Sequence, residues 1–460
     1  MRQKIRKKWG GVAIIFAMGM AFSTLLFAQT GVPKGSHGAA LEEYQMKFLD
    51  KLQENKVDVG EIPFGVDEEY WNAMIPEGNE TTQARIDLGR KLYFDLRLSK
   101  DGTVSCATCH DTTRGFGDAL PTSEGIGMQF GKRNAPTTMN IALLHTMFWD
   151  GRSPTIEHQA MQPIINPIEM GMPEDEAVII AGIKDDPEYQ EMFQAAYGRD
   201  INYKDIGNAL AVFERTFIFM DSPFFRFLQK ESNSNITDQP LLGRSVQDLS
   251  EDAYAGWLIF NREGRCNSCH QISPSNPLGT DNKFHNIGIA AHNQDFTKLT
   301  HLALEALAKD SSEAKIDELA LSTDMSELGR FLITKNINDM GAFRTPMLLN
   351  IGITGPYMHD GSFKTLWDVV DHYNKGGIPN LYLDGGIEPL NLTEEQVNQL
   401  VAFLFSLTDV RFSDQNINEY RKQADLAKQS RPERDVDIST RKTLSFENFD
   451  ATSATKGNAQ

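Results

Sequence analysis

All four cysteines of the chain fall in two units of one pattern, Cys106-Ala107-Thr108-Cys109-His110 and Cys266-Asn267-Ser268-Cys269-His270. Two thiols at this spacing followed by an imidazole are the attachment signal of a c-type haem. The thiols add to the haem vinyl groups, and the histidine is set beneath the iron as proximal ligand. A zinc site built from two Cys-x-x-Cys pairs would need them folded together and gives no reason for a histidine after each. Four cysteines in 460 residues also cannot make a disulfide scaffold. The expectation is two covalently bound haems c. The sixth coordination position of each iron then decides the function: two filled positions make an electron carrier, whereas an open one takes peroxide or oxygen.

The elements that must position these units repeat as well. Gly89, Leu92 and Tyr93 precede the first unit, and Gly256, Ile259 and Phe260 precede the second. Each block closes with an amphipathic helix, one carrying Ile206, Leu210, Phe213 and Phe217, the other Val397, Leu400, Val401 and Leu404. Thr393 with Gln396 forms a capping box for the last of these. Alternating β-branched residues are scarce, and the Gly/Pro-rich loops around both cysteine units are long enough to need a bulky prosthetic group to organise them. The fold class expected is mainly α, with two helical domains of one haem each, at 81–240 and 241–412. Residues 29–80 read as a lead-in with one helix on Leu41, Tyr44, Phe48 and Leu52. Residues 281–325 read as an insertion, and 413–460 as a polar tail that does not pack.

Residues 1–28 read as an export signal: five basic residues, then an uncharged run from Trp9 to Ala28. Cleavage after Ala28 is favoured over retention as an N-terminal membrane anchor, and the expected location is the periplasm. A net charge of −18 argues against nucleic acid as a partner. Only that one stretch is apolar enough to span a bilayer, which excludes a multispan protein.

The motifs Leu92–Ser99, Ser105–His110, Arg133–Thr137, Phe148–Arg152 and Gly355–Gly361 together resemble the bacterial dihaem cytochrome c peroxidase family, which includes the MauG-type enzymes. The resemblance runs from about residue 80 to 410 and implies cytochrome c-like domains. It makes the first haem, on His110, peroxidatic and the second, on His270, its electron source. It implies that Gln159 and Glu169 face peroxide. Cleaving the O–O bond moves a proton from one oxygen to the other, so a carboxylate acting as acid and base is needed, and an amide can orient peroxide without competing for protons. The resemblance further implies that Pro163 walls the pocket, that Trp149 lies between the haems, and that Asn134, Thr354 and Pro356 hold a calcium ion.

Two departures from the family pattern bear on function. Conventional members place a distal histidine over the first haem; Ile126 stands at that position here, and isoleucine cannot bind iron. Glu124 and Met128 are nearby ligating side chains off the matching position. Conventional members also place a methionine over the second haem, and the matching position is Tyr373. It shares a helix face with Leu366, Val369 and Val370, with His372, Met347 and Met358 as competitors. A phenolate ligand lowers the potential that methionine would raise.

Three functions follow. The first is a peroxidase reducing hydrogen peroxide with electrons from a small cytochrome c or cupredoxin. The second is a MauG-type oxidase that modifies aromatic residues of a protein substrate. The third is a pure electron carrier, which Ile126 and the Gln159/Glu169 pair argue against. His359 is expected to orient groups near the second haem; His37, His145, His158, His285, His292 and His301 have no partner that the sequence names.

Overall fold

The computed structural model describes residues 39–53, 62–63, 65–233, 249–273 and 275–432; the export segment at 1–28 lies outside them. Among the described residues no helix is long and apolar enough to cross a membrane.

The described chain is helical, with one two-stranded antiparallel sheet pairing β1 (Phe284–His285) with β2 (Phe343–Arg344). After the lead-in helix α1 (Ala39–Gln53), the first half contains α2 (Gln83–Tyr93), α3 (Ile156–Ile165), α4 (Pro187–Tyr197) and α5 (Tyr203–Glu214). The second half contains α6 (Glu251–Asn261), α7 (Phe296–Lys309), α8 (Glu313–Ser322), α9 (Leu366–Asn374), α10 (Glu394–Phe405) and α11 (Ser413–Ser430). Polar side chains satisfy the free N–H groups at most starts: Thr82 caps α2, Thr155 α3, Asn202 α5 and Ser250 α6. Thr365 with Asp368 and Thr393 with Gln396 form full capping boxes for α9 and α10.

Each half is built on one helix crossing. A Cβ on Gly89 of α2 would lie 2.0 Å from the Ala209 carbonyl oxygen of α5, and a Cβ on Gly256 of α6 would lie 1.9 Å from that of Gln399 on α10. Backbones this close admit only glycine. The predicted faces of α5 and α10 are buried at these crossings. The loops repeat too: Asn140 and Asn350 both adopt left-handed backbone before a short 3-10 turn. Each holds the far end of its half, Asn140 Oδ1 accepting from Phe219 N (2.8 Å) and Asn350 Oδ1 from Asp409 N (2.8 Å).

Two expectations need correction. The buried face of α1 is Gln45, Leu49 and Leu52, with Tyr44 exposed, because Gln45 is fixed by the first haem-attachment segment. It donates to Ala107 O (3.2 Å) and accepts from Thr112 through its own carbonyl (2.9 Å). The stretch after 412 is not an unpacked tail: α11 buries Asn416, Tyr420, Gln423, Ala424 and Ala427 on one face. The rest of that stretch, from 433, lies outside the described residues. Within 281–325, α7 and α8 form a third apolar cluster with Phe331, Leu332 and Phe343, against which Trp149 packs. This segment also reaches the first half, through Arg152 with Asp317 (2.6 Å) and Lys132 with Asp324 (3.1 Å).

Candidate functional site

The second cysteine unit opens onto a cavity of about 430 Å³. Cys266, Cys269 and His270 line it, as do Val369 and Tyr373 from α9 and the apolar wall of Leu348 and Leu404. The His270 Nδ1–H donates to the Gly279 carbonyl (2.9 Å), which fixes the ring and leaves Nε2 as the free donor atom. Burial lowers its pKa, keeping the imidazole neutral, as an iron ligand must be. Free thiols, a neutral imidazole with a fixed tautomer and an apolar cavity together fit a covalently held haem.

Burial, with Cys266 and Cys269 facing it, raises the Tyr373 phenol well above its usual value; an isolated phenol here stays protonated unless a cation binds it. Of its competitors, His372 does not line the cavity and donates through Nε2 to Ile287 O (2.9 Å). Met347 and Met358 do line it. His359 also lines the cavity and is held there, paired with Glu327 (2.9 Å) and stacked on Phe343 at 3.7 Å.

The first unit repeats the proximal arrangement. His110 Nδ1–H donates to Phe116 O (3.3 Å), and burial pushes the imidazole down to about 4. Its distal side differs. Pro163 stands as many residues past its cap Thr155 as Tyr373 stands past Thr365, so the duplicated helix offers a proline where the second half offers a phenol. Ile126 is buried and its N–H bonds the Glu169 carbonyl (3.0 Å). Met128 is 77% exposed. Gln159 is half-buried one turn before Pro163 on α3.

Glu169 is held by its neighbours. Asn166 Oδ1 accepts from the N–H groups of Ile168 (3.0 Å) and Glu169 (3.3 Å). Burial and then the Asp317 carboxylate raise its pKa to about 7, against the opposing pull of Arg152. Its charge is felt at Cys109, which places the carboxyl beside the first unit. The Arg152–Asp317 pair was not singled out from sequence. Arg152 lies inside a motif that was, but nothing local in α8 says that Asp317 lands beside Glu169.

Trp149, from the first half, lines the second cavity; its indole N–H donates to Asn134 O (2.9 Å) and its carbonyl accepts from Arg344 N (2.8 Å). Asn134, Thr354 and Pro356 line that cavity together, and Asn134 spends its amide N–H on Leu120 O (2.9 Å). Two histidines without a partner in sequence have them in space. His285 lies between Asp384 (2.6 Å) and Asp281 (3.1 Å). His158 contacts Ser153 (2.8 Å) and Glu313 (3.2 Å).

Residues 83–233 match the di-haem cytochrome c peroxidase family. The chain is 33% identical over 334 residues to the methylamine utilization protein MauG of Methylorubrum extorquens, covering 72% of this chain and 80% of that one. It is 32% identical over 334 residues to cytochrome-c peroxidase IdrP2 of Denitromonas iodatirespirans, covering 73% and 84%. Among solved structures, a MauG-like protein associated with microbial copper homeostasis superposes with a TM-score of 0.57 at 30% identity, over 74% of this chain and 95% of that chain.

Proposed function

Since the chain belongs to the di-haem cytochrome c peroxidase family, whose members carry two haems c, we propose that it is a periplasmic peroxidase reducing hydrogen peroxide to water at its first haem. The balance is one peroxide, two electrons and two protons to two waters. Haems held on His110 and His270 would supply the redox chemistry with peroxide and the relay of electrons from a small cytochrome c or cupredoxin. The chain's own residues manage access and protons. Ile126 and Pro163 put no ligating side chain where the family pattern carries a histidine and where the second half carries Tyr373, so the distal side of the first site would be open to peroxide in the oxidised protein. Gln159 orients peroxide through its amide. Glu169 takes a proton from one oxygen and delivers it to the other. Trp149, held between the halves by Asn134 and Arg344, lies on the electron route. Asn134 Oδ1 and the carbonyls of Thr354 and Pro356 suit a calcium ion, which elemental analysis of the purified protein reads directly.

The observation that carries this reading is a buried carboxyl raised to about 7 beside a distal wall with no ligand. Steady-state peroxide consumption by the fully oxidised protein, with reduced cytochrome c and no pre-reduction, tests it. Immediate turnover is expected; turnover only after pre-reduction rejects the open site. One observation favours a second reading, a MauG-type oxidase acting on a protein substrate: Tyr373 stands where a methionine would raise the second haem's potential. Slow cytochrome oxidation with a long-lived peroxide-oxidised protein is the outcome that selects it.

A further inference from the structure

The duplication lets each residue around one cysteine unit be set beside its counterpart around the other. Gly89 meets Ala209 and Phe213, and Gly256 meets Gln399 and Phe403, so Tyr93 corresponds to Phe260 and Glu214 to Leu404. Asn140 corresponds to Asn350, so Thr138 corresponds to Leu348. All six are buried. Three positions are therefore polar around the first unit and apolar around the second.

Leu348 and Leu404 line the second cavity, which by register places Thr138 and Glu214 at the wall of the first haem site. The electrostatics agree, since the Glu214 charge acts on both Cys106 and Tyr93, and the Tyr93 hydroxyl donates to the His110 carbonyl (2.8 Å). Glu214 Oε2 is buried without a hydrogen-bond partner, an arrangement that costs stability and so calls for a compensating role, while the Thr138 hydroxyl lies against that of Tyr93. Burial raises the Glu214 carboxyl to about 8. The groups that face it are Tyr93 from α2 and Cys106, whose thiol the haem consumes, with Asp111 beyond Tyr93. Its neighbour Arg215 turns away, to Glu157 and the Asn79 carbonyl.

Resting on the assignment of a haem to this half, we propose that Glu214 is the redox-linked proton group of the first haem. When the iron there gives up one electron, to peroxide in turnover or to a mediator in titration, Glu214 releases one proton to water; both return on reduction. Added positive charge favours the carboxylate, so that haem's potential falls as pH rises between the two carboxyl pKa values. The second haem, with Leu404 in place of the acid, lacks this partner.

Spectroelectrochemical titration of both haems in the holoprotein, at pH values below and above about 8, tests this against Glu214→Gln. The variant is expected to flatten the pH dependence of the first haem and leave that of the second as it was. An unchanged slope at the first haem overturns the proposal. If the variant fails to load haem, the oxidised-minus-reduced infrared difference spectrum of the unaltered protein decides. Loss of a protonated carboxylic acid band on oxidation of the first haem is expected, and no such change overturns the proposal. Neither measurement reads peroxide turnover, so failure of the peroxidase reading is seen separately.

Discussion

A carboxyl that must accept a proton and return it works best when its pKa lies near the operating pH. Glu169, raised to about 7, meets that condition, whereas an exposed glutamate would be ionised throughout and a poor donor. Its Gln variant is expected to keep both haems attached and slow the reaction with peroxide by roughly 10²–10⁴, measured by stopped-flow mixing. In the unaltered protein the rate should rise with pH through about 7, as the carboxyl ionises and can take the first proton, and that inflection should be missing in the variant. Tyr373→Met should raise the potential of the second haem; a redox titration that does not move would remove Tyr373 as its ligand. The cysteine units were legible in sequence because thiols and imidazole at that spacing act through their own chemical type, whereas Ile126 drew notice only through the family resemblance. The tuning of Glu169 was not, because it comes from burial and then from Asp317, far along the chain.

Helices bearing the site are set by close contacts as much as by apolar faces. The crossings at Gly89 and Gly256 were marked in sequence only as a repeated glycine; their meaning is the 1.9–2.0 Å that a Cβ would have to share with a carbonyl. Gly256→Ala should therefore lower stability by about 1–3 kcal/mol through overpacking, read by thermal unfolding of the holoprotein, with the equivalent change at exposed Gly385, which has open space around it, nearly silent. Capping boxes were legible because Thr393 and Gln396 lie within four residues. The terminal helix α11 was missed because its buried face is made of Ala424, Ala427, Asn416 and Gln423 around one Tyr420. Hydropathy sees little in such a stripe. Its polar members are satisfied inside, as when Asn416 donates to Phe405 O (3.1 Å) and accepts from Thr408 (2.9 Å).

Across the whole molecule, the two halves share more than a contact. The segment 281–325 belongs to the second half by sequence, yet its Asp317 pairs with Arg152 and raises the acid of the first. Asp317→Asn removes one negative charge beside Glu169 and releases Arg152 to act on it, and both changes favour the carboxylate. The inflection in the pH–rate profile should accordingly move below about 7, while the potential of the second haem stays where it was. A profile that keeps its midpoint would mean that the halves do not communicate through this pair.

Gln423 on α11 ties α9 to the stretch at 352–357: its side-chain carbonyl accepts from Leu366 N (2.9 Å) at the start of α9, and its amide donates to Gly352 O (3.2 Å) and the Tyr357 hydroxyl (2.9 Å). The clasp thus fastens the start of α9, the helix that carries Tyr373, to the chain at 352 and 357, bracing the second site from outside its haem-attachment segment. A chain ended at residue 412 should then acquire both haems, as read by intact mass, but lose its second-haem spectrum sooner on heating; normal thermal behaviour would show that the clasp is dispensable.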